Sequence, residues 1–142
     1  MSSIEIIARA LIEENGKVLL CRGKGLEHWF FPGGHVEDGE SVPVALVREI
    51  MEELGEEAEI VRFLTASENK YQAKYGEAHE INLFFEAKLL SDNGRTSKED
   101  HLEFAWFSPS EFGDMLVFPL SLRDAIFTSI EKNKPLWISE GF

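Results

Sequence analysis

The sequence predicts an α/β fold in which helices pack against a mixed β-sheet, within a single domain formed by residues 1–142. The first observation is that apolar segments typical of strands lie on both sides of one amphipathic helix, and a second helical segment follows near the end of the chain. The second is that no internal repeat, low-complexity tract or Pro/Gly-rich linker divides the 142 residues. A hydrophobic content of 44% is sufficient for one substantial core at this length.

Three strands are predicted before the first helix. Residues 4–22, IEIIARALIEENGKVLLCR, contain two apolar runs joined at Asn15-Gly16, a dipeptide suited to the positive φ angles of a tight turn. This pattern predicts a β-hairpin. The segment HWFF, residues 28–31, predicts a short third strand, which is expected to end at Pro32-Gly33-Gly34.

The first helix is predicted from Val42 to Leu54. Ser41 is suited to the N-cap because its hydroxyl can accept a hydrogen bond from a free backbone N–H, and Pro43 is tolerated in the first turn. Gly55 is a natural stop, since glycine readily takes the left-handed conformation that ends helices. The apolar stripe expected to face the core consists of Leu46, Val47, Ile50, Met51 and Leu54.

Three further strands and a second helix are predicted after Gly55. The segments AEIVRFLTAS (58–67), EINLFFEAKLL (80–90) and LEFAWF (102–107) are rich in branched and aromatic residues. A polar loop is expected between the first two segments, and Asp92-Asn93-Gly94 is expected to turn the chain before the third. The segment LSLRDAIFTSIEKN (120–133) predicts a helix because Leu122, Ile126 and Ile130 recur every four residues.

The composition argues against several classes of protein. A net charge of −12 disfavours non-specific binding to DNA or RNA, which depends on Lys and Arg at the phosphates. No apolar run approaches the ~20 residues needed to span a bilayer, and no secretory signal is recognisable at the N-terminus. Cys21 is the single cysteine, so no intrachain disulfide can form. We therefore expect a cytoplasmic protein with Cys21 buried in a strand.

The first helix carries an unusual cluster of carboxylates. Glu49, Glu52, Glu53 and Glu56 fall within an arc roughly 100° wide, and Arg48 is the one basic residue of the segment. Like charges three or four residues apart cost roughly 0.2–0.5 kcal/mol each, and near the helix C-terminus they also oppose the helix dipole. A solvated surface is one interpretation. A bound divalent cation, which would reverse the repulsion, is the interpretation that we favour, and Mg²⁺ suits carboxylate oxygens combined with phosphates.

The residues before this helix extend the predicted site. Gly33-Gly34 permits a tight turn whose carbonyl can reach a metal and whose N–H groups can approach an anion. Glu40 adds one more carboxylate near the start of the helix. A loop and a helix that hold metals beside a phosphate chain form the arrangement expected for hydrolysis of a pyrophosphate.

The same residues resemble the signature of the Nudix hydrolases, a family with MutT-like members. The match runs from Gly34 through Glu40 to REIMEELG (48–55), with gaps of five and seven residues between the three parts. The resemblance implies an α/β/α sandwich with a mixed sheet, and metal-assisted attack of water on a phosphorus atom of a nucleotide. One position departs from the signature, which usually closes with an apolar residue where this chain has Glu56. That glutamate is expected to loosen packing at the helix exit or to add an outer carboxylate.

The resemblance also implies metal ligands. Glu52 and Glu53 would bind the metal directly, with the Gly33 carbonyl as another ligand. Glu49 would bind metal or take the proton from the attacking water. The cofactor implied is Mg²⁺ or Mn²⁺, because a hard divalent ion both acidifies its water and shields the charge of the phosphates.

Other residues are predicted to position these groups or to assist them. By the same resemblance, Arg48 would orient the carboxylates through its planar guanidinium, and Glu40 would anchor the loop against the helix. Family members often supply a further carboxylate from the segment before a strand such as the one containing Trp106. Asp100 is the candidate general base and Glu103 the candidate additional metal ligand, and a polar strand edge explains both equally well.

Specificity is expected from residues outside the motif. The segment 68–80, ENKYQAKYGEAHE, contains two of the few lysines in this acidic chain, Lys70 and Lys74, which could meet phosphates. Tyr71 and Tyr75 could stack on a base. A tyrosine at this distance resembles the pattern of members that act on dinucleoside polyphosphates, so we expect such a compound or a nucleoside triphosphate rather than ADP-ribose. Further aromatic candidates for stacking are Trp29, Phe30, Phe84 and Trp137.

Two alternative functions from other classes of protein remain open. One is a Nudix-fold regulatory module that binds a nucleotide without turnover, and the other is an acidic cation-binding protein without a nucleotide. The complete set Glu49, Glu52 and Glu53 disfavours the first, while Arg48 and the glycine pair are unexplained by the second. We expect a monomer or homodimer whose partner is a small nucleotide, with no nucleic acid polymer and no membrane.

Overall fold

The computed structural model describes residues 3–142, apart from the side chain of Asp124. The α-helices are α1 (Val42–Leu54) and α2 (Leu120–Lys132), and a 3₁₀ helix spans Pro109–Asp114. No helix in the described part of the chain is long and apolar enough to cross a membrane. The strands are β1 (Glu5–Glu14), β2 (Lys17–Gly23), β3 (Trp29–Phe30), β4 (Gly33–His35), β5 (Ala58–Ala73), β6 (Gly76–Leu89), β7 (Leu102–Phe107), β8 (Val117–Phe118) and β9 (Trp137–Glu140).

The strands form one mixed sheet, which confirms the predicted α/β class. In the order β8-β3-β2-β1-β6-β5-β9, β1 and β6 are parallel while β5 and β6 are antiparallel. β4 pairs with β1, and β7 pairs with β2. Successive residues of β1 contribute to two different apolar cores, because strand side chains alternate between the two faces of a sheet. One core packs beneath α1 and contains Ala8, Ala10, Leu46, Ile50 and Leu54; the other packs beneath α2 and contains Leu11, Phe84, Leu122 and Ile126.

The first hairpin forms where the sequence predicts it. β1 and β2 pair antiparallel, and the turn between them is made by Asn15 and Gly16 at φ angles of 55° and 76°. The predicted third strand is present as β3, although it is shorter than expected. It ends before Pro32, which has no backbone N–H to donate to a neighbouring strand.

The glycines that follow Pro32 form a strand rather than the expected tight turn. β4 pairs antiparallel with β1, so that Gly33 lies opposite Arg9 and Gly34 lies opposite Ala8. Gly33 has a φ angle of 146°, and a Cβ at this position would overlap the carbonyl oxygen of Ala8. Glycine is therefore required because two backbones approach one another closely, and this approach holds β4 beside α1.

Helix α1 begins and ends at the predicted residues. The hydroxyl of Ser41 accepts a hydrogen bond from the backbone N–H of Val44 at 3.4 Å, as expected of an N-cap. At the other end Gly55 is left-handed, with a φ angle of 72°, and its N–H donates to the carbonyl of Met51. Local sequence signals are thus sufficient to define this helix.

The buried face of α1 differs from the predicted stripe. Met51 is 43% exposed, whereas Ala45, which the sequence places within the acidic arc, is fully buried. The buried face is therefore rotated toward the flank that carries Glu49 and Glu53, and both of these side chains are half-buried. The helical period is compatible with a buried face that includes either Met51 or Ala45, so only tertiary packing could reveal this rotation.

The segment 68–80 is the end of a long β-hairpin rather than a polar loop. β5 and β6 pair antiparallel up to Ala73 opposite Gly76, which leaves a two-residue turn at 74–75. The prediction was wrong because polar side chains lower strand propensity, whereas the sheet ladder satisfies the backbone groups regardless of them. Four buried polar residues of this hairpin become important below: Ser67, Asn69, Glu80 and Asn82.

Candidate active site

Arg48 is the centre of a hydrogen-bond network at the start of α1. Its guanidinium donates to both carboxylate oxygens of Glu40, at 2.7 and 2.9 Å, and to the carbonyl oxygen of His35 at 3.2 Å. One terminal nitrogen also donates to Glu49 at 3.0 Å and to Glu52 at 3.3 Å. The hydrogen bonds from Arg48 hold the pKa of Glu40 at about 2, well below its ordinary value. This network ties the loop after β4 to the acidic helix.

Glu49 and Glu53 form a close pair of carboxyl groups one helical turn apart. Burial, followed by the hydrogen bond and the charge of Glu49, raises the pKa of Glu53 to about 8. Gly34 of β4 lies directly against Glu49, since a Cβ at Gly34 would overlap the carboxyl group of Glu49. The glycine strand thus makes room for two acidic groups in a partly desolvated position.

This pair suits a hard divalent cation. A cation between the two carboxylates would offset their repulsion and favour the ionised form of Glu53, whose pKa is otherwise raised. Glu52 is exposed and directed toward Arg48. Among the side chains that the structure describes, no three acidic, His or Cys groups are arranged to hold a metal ion. Glu52 would therefore have to leave Arg48 to complete a ligand set with Glu49 and Glu53.

A cavity of about 570 Å³ opens on the sheet beside β3, the β5–β6 hairpin and the start of α2. Its volume is in the range of pockets that enclose a small ligand. Of the four predicted substrate-binding residues, Lys70 and Tyr71 line this cavity. Lys74 and Tyr75 form the turn of the hairpin, and Tyr75 is 75% exposed, so neither residue contributes to the lining.

Arg9 connects the cavity with the carboxylates of α1. It lines the cavity, and its guanidinium donates to Asn82 Oδ1 at 3.2 Å and to the carbonyl oxygen of Phe31 at 3.1 Å. Burial lowers the pKa of Arg9, and the negative charges of Glu80 and Glu53 oppose that shift. The sequence reasoning missed this residue. The available signal was a charged side chain at an inward-facing position of an otherwise apolar strand.

Comparison with known proteins decides the family. The model of the NUDIX domain matches residues 4–128, which extend from the residue before β1 into α2. The chain belongs to the NUDIX family. The match confirms the resemblance noted from the sequence, and it includes the acidic helix, the β5–β6 hairpin and every lining residue of the cavity except Glu140.

Relatives of this NUDIX chain include enzymes named for nucleotide substrates. It is 32% identical over 128 residues to the CTP pyrophosphohydrolase of Escherichia coli (strain K12), covering 87% of each chain. It is 33% identical over 113 residues to the nucleoside triphosphatase NudI of Escherichia fergusonii, covering 71% of this chain and 79% of that protein. A crystal structure of the MutT protein from Methanosarcina mazei Go1 aligns with a TM-score of 0.70 at 26% identity, covering 92% of this chain and 96% of that one.

Glu56, the departure from the family signature, is a buried anchor. Its side chain is fully buried just beyond α1 and accepts hydrogen bonds from Ser91 Oγ at 2.7 Å and from the backbone N–H groups of Asn93 and Arg95 at 2.8 and 2.9 Å. Burial alone would raise its pKa, but these donors and the charge of Arg95 lower the pKa of Glu56 on balance. The sequence-based expectation of looser packing or an outer carboxylate is therefore wrong, since Glu56 fastens the β6–β7 loop to the helix exit.

Replacing Glu56 with alanine should lower the free energy of unfolding by about 2 kcal/mol, because three donors lose a buried, charged acceptor. Urea unfolding followed by circular dichroism measures this change. Glu57→Ala is the matched control, since Glu57 is the next residue and its side chain is exposed. Equal stability of the two variants would contradict the role of Glu56 as an anchor.

The loop before β7 presents a different acid from the two that the sequence singled out. Glu99 adds its negative charge to those that raise the pKa of Glu53, whereas Asp100 is exposed. Glu103 forms an ion pair with Arg22, opposite it on β2. Phe104 lines a small pocket with Glu53, and because strand side chains alternate, Glu103 points to the other face of the sheet.

Proposed function

We propose that this NUDIX chain hydrolyses a phosphoanhydride bond in a nucleoside triphosphate or a dinucleoside polyphosphate, with Mg²⁺ or Mn²⁺ as cofactor. The observation that carries the proposal is the half-buried pair Glu49–Glu53, which lies against Gly34 and is linked electrostatically through Arg9 to a cavity of about 570 Å³. Similarity to a CTP pyrophosphohydrolase and to a nucleoside triphosphatase supports this class of substrate.

Glu49, Glu52 and Glu53, together with the carbonyl oxygen of Gly33, would hold the metal. When bound, a divalent cation lowers the pKa of its water and shields the phosphate charge that repels nucleophiles. Glu53 must give up a proton to act as a ligand at neutral pH, because its pKa is raised to about 8 in the protein alone. Metal loading is therefore expected to improve as the pH rises toward 8.

Glu49 is our first candidate for the group that takes the proton from the attacking water. Arg48 donates to its carboxylate at 3.0 Å and so orients it, while Glu40 holds the other edge of the same guanidinium. Glu99 is a second candidate, because it is the loop acid whose charge acts on Glu53. Asp100, which is exposed in the same loop, remains a prediction.

The nucleoside would occupy the cavity, with its phosphates directed past Arg9 toward α1. Tyr71 and Phe30 offer aromatic surface in the cavity, and Lys70 and Arg9 offer positive charge. Lys70 Nζ lies 3.6 Å from a carboxylate oxygen of Glu77 and is therefore partly neutralised. Arg9 is thus the stronger candidate for contact with a phosphate.

A panel of substrates tests the proposal. Nucleoside triphosphates, a diadenosine polyphosphate and ADP-ribose are incubated with Mg²⁺, and the products are separated by chromatography. We expect kcat/KM to be highest for a triphosphate or polyphosphate, with loss of turnover in a chelator and recovery on excess Mg²⁺. Fastest turnover of ADP-ribose would overturn the choice of substrate, and binding of nucleotides without turnover of any would favour a regulatory module.

Three further expectations concern domain organisation, location and oligomeric state. Both apolar cores pack on one sheet, which is consistent with a single domain over residues 1–142. We also propose that the protein acts in the cytoplasm as a monomer or a homodimer. Size-exclusion chromatography with light scattering measures the last of these directly.

A further inference from the structure

A connected network of buried polar side chains forms the floor of the cavity. Asn82 is fully buried, and its amide nitrogen donates to Glu80 Oε1 at 3.0 Å and to Asn69 Oδ1 at 3.2 Å. Asn69 is 4% exposed, and its own amide nitrogen donates to Glu140 at 2.9 Å. Asn69, Glu80 and Glu140 line the cavity, while Asn82 lies behind them. The floor is therefore a built polar surface and not an incidental group of side chains.

The directions of the donors in this network are determined by Arg9. Its Nε donates to Asn82 Oδ1 at 3.2 Å, so the oxygen of that amide faces Arg9 and the nitrogen faces the hairpin. Both N–H groups of Asn82 are then used by Glu80 and Asn69. Asn69 Oδ1 also accepts from the hydroxyl of Ser67 at 2.7 Å. The amide nitrogen of Asn69 therefore donates to the carboxylate of Glu140. The side-chain amides of Asn82 and Asn69 thus have protein partners at both their oxygen and their nitrogen atoms.

Glu80 keeps hydrogen-bond acceptor capacity for a ligand. A carboxylate has about four acceptor sites, and Glu80 uses its two oxygens for Asn82 and for the hydroxyl of Tyr71 at 3.3 Å. Arg9 uses two of its five N–H groups, on Asn82 and on the carbonyl oxygen of Phe31, and its remaining donors are available to the phosphates. At Glu80 itself, a ligand group that donates is matched, and one that only accepts is not.

The walls above this floor are aromatic. His28 and Phe118 stack with their ring centroids 5.2 Å apart, and Phe30 lines the same cavity. Flat apolar walls favour a flat ring, and they reduce the access of water that would otherwise relieve a mismatched polar edge. The cavity therefore combines aromatic side chains that can stack on a base with a carboxylate that can accept from its edge.

We propose that Glu80, held by Asn82 and Tyr71, selects nucleobases that carry an exocyclic amino group over those with a carbonyl at the same position. This inference rests on the proposed function, because it assumes that the cavity receives the nucleoside. A carboxylate accepts from the amino group of cytosine or adenine, whereas it repels the carbonyl oxygen of uracil or hypoxanthine. Glu80 is then a specificity-determining residue of the NUDIX site.

The test compares two matched pairs of nucleotides, CTP with UTP and ATP with ITP. In each pair one member carries an amino group where the other carries a carbonyl. For the wild-type protein we expect kcat/KM to be higher for the amino-bearing member by roughly tenfold or more. Kd values measured by calorimetry in a chelator should show the same order, which separates base recognition from the metal-dependent reaction.

Glu80→Gln is the decisive variant, because it keeps the shape of the side chain and exchanges one acceptor for a donor. We expect the preference within each pair to fall by at least fivefold, through weaker binding of the amino-bearing member and tighter binding of its counterpart. Glu86→Gln on the same strand is the control, since Glu86 pairs with Arg62 outside the cavity. Circular dichroism and urea unfolding show whether each variant is folded.

The outcomes separate this inference from the proposed function. Equal Kd values within both wild-type pairs would overturn the inference even if Glu80→Gln failed to fold. An unchanged preference in a folded Glu80→Gln protein, or no binding of any of the four nucleotides, would overturn it as well. If the binding preference is present but no nucleotide is hydrolysed with Mg²⁺, the inference stands and the proposed function falls.

Discussion

Replacing Glu53 with glutamine should reduce kcat by about two orders of magnitude or more while leaving the protein folded. Glu53 is half-buried beside Glu49, and its burial together with that neighbouring carboxyl group raises its pKa. Glutamine keeps the shape of the side chain but removes the charge that would hold the metal. Steady-state kinetics at saturating Mg²⁺ with the best substrate of the panel measures the effect.

The control for this variant is Glu59→Gln, which removes one negative charge from an exposed position on β5. It should retain the activity of the wild type, so that loss of activity in Glu53→Gln cannot be attributed to net charge. Turnover of Glu53→Gln within a factor of about three of the wild type would rule out the metal site on α1.

The second large effect concerns stability in the absence of metal. Burial, together with Glu49, raises the pKa of Glu53 to about 8 from an ordinary value of 4.5. A carboxyl group whose pKa is higher in the folded state favours folding when it is protonated, so its contribution is complete below pH 4.5 and is lost as the pH rises through 8. In a chelator, the melting temperature should therefore fall by a few degrees or more between pH 5 and pH 8.5, on the order expected for 1 kcal/mol.

The titration of Glu40 does not produce this dependence. Hydrogen bonds from Arg48 lower the pKa of Glu40 to about 2, so its contribution is present above pH 4.5 and is lost only as the pH falls toward 2. Glu53→Gln should flatten the profile between pH 5 and 8.5, and millimolar Mg²⁺ should raise the melting temperature of the wild type more at pH 8 than at pH 6. Profiles of equal slope for the wild type and Glu53→Gln would show that Glu53 is not the group responsible.

Much of the acidic helix could be predicted from local sequence. Ser41 and Gly55 define the ends of α1 because capping depends on residues within one turn of each end. Arg48 was expected to orient the carboxylates of the helix, and it donates to Glu49 and Glu52 in the structure. What local sequence could not show is which flank of α1 is buried, since that depends on β4 and on the loop that carries Glu99.

The β5–β6 hairpin illustrates a second limit. Its polar residues resemble a loop when they are considered one at a time, because Asn, Glu and Lys are uncommon in strands. In the folded chain, the amide of Asn82 donates across the ladder to Asn69, and the hydroxyl of Tyr71 donates across it to Glu80. Such pairs satisfy one another only after the two strands have aligned.

The sequence by itself determined the α/β class, the extent of α1, the tight turn at Asn15 and Gly16 and the carboxylate motif, because short-range sterics and helical periodicity govern each of them. The tertiary structure alone decided that Glu56 is a buried anchor, that Glu103 pairs with Arg22 and that Arg9 joins the cavity to the acidic helix. These three features depend on residues 35 to 81 positions apart. The free energy that stabilises these features comes from burial and from hydrogen-bond or charged partners that no local sequence pattern can specify.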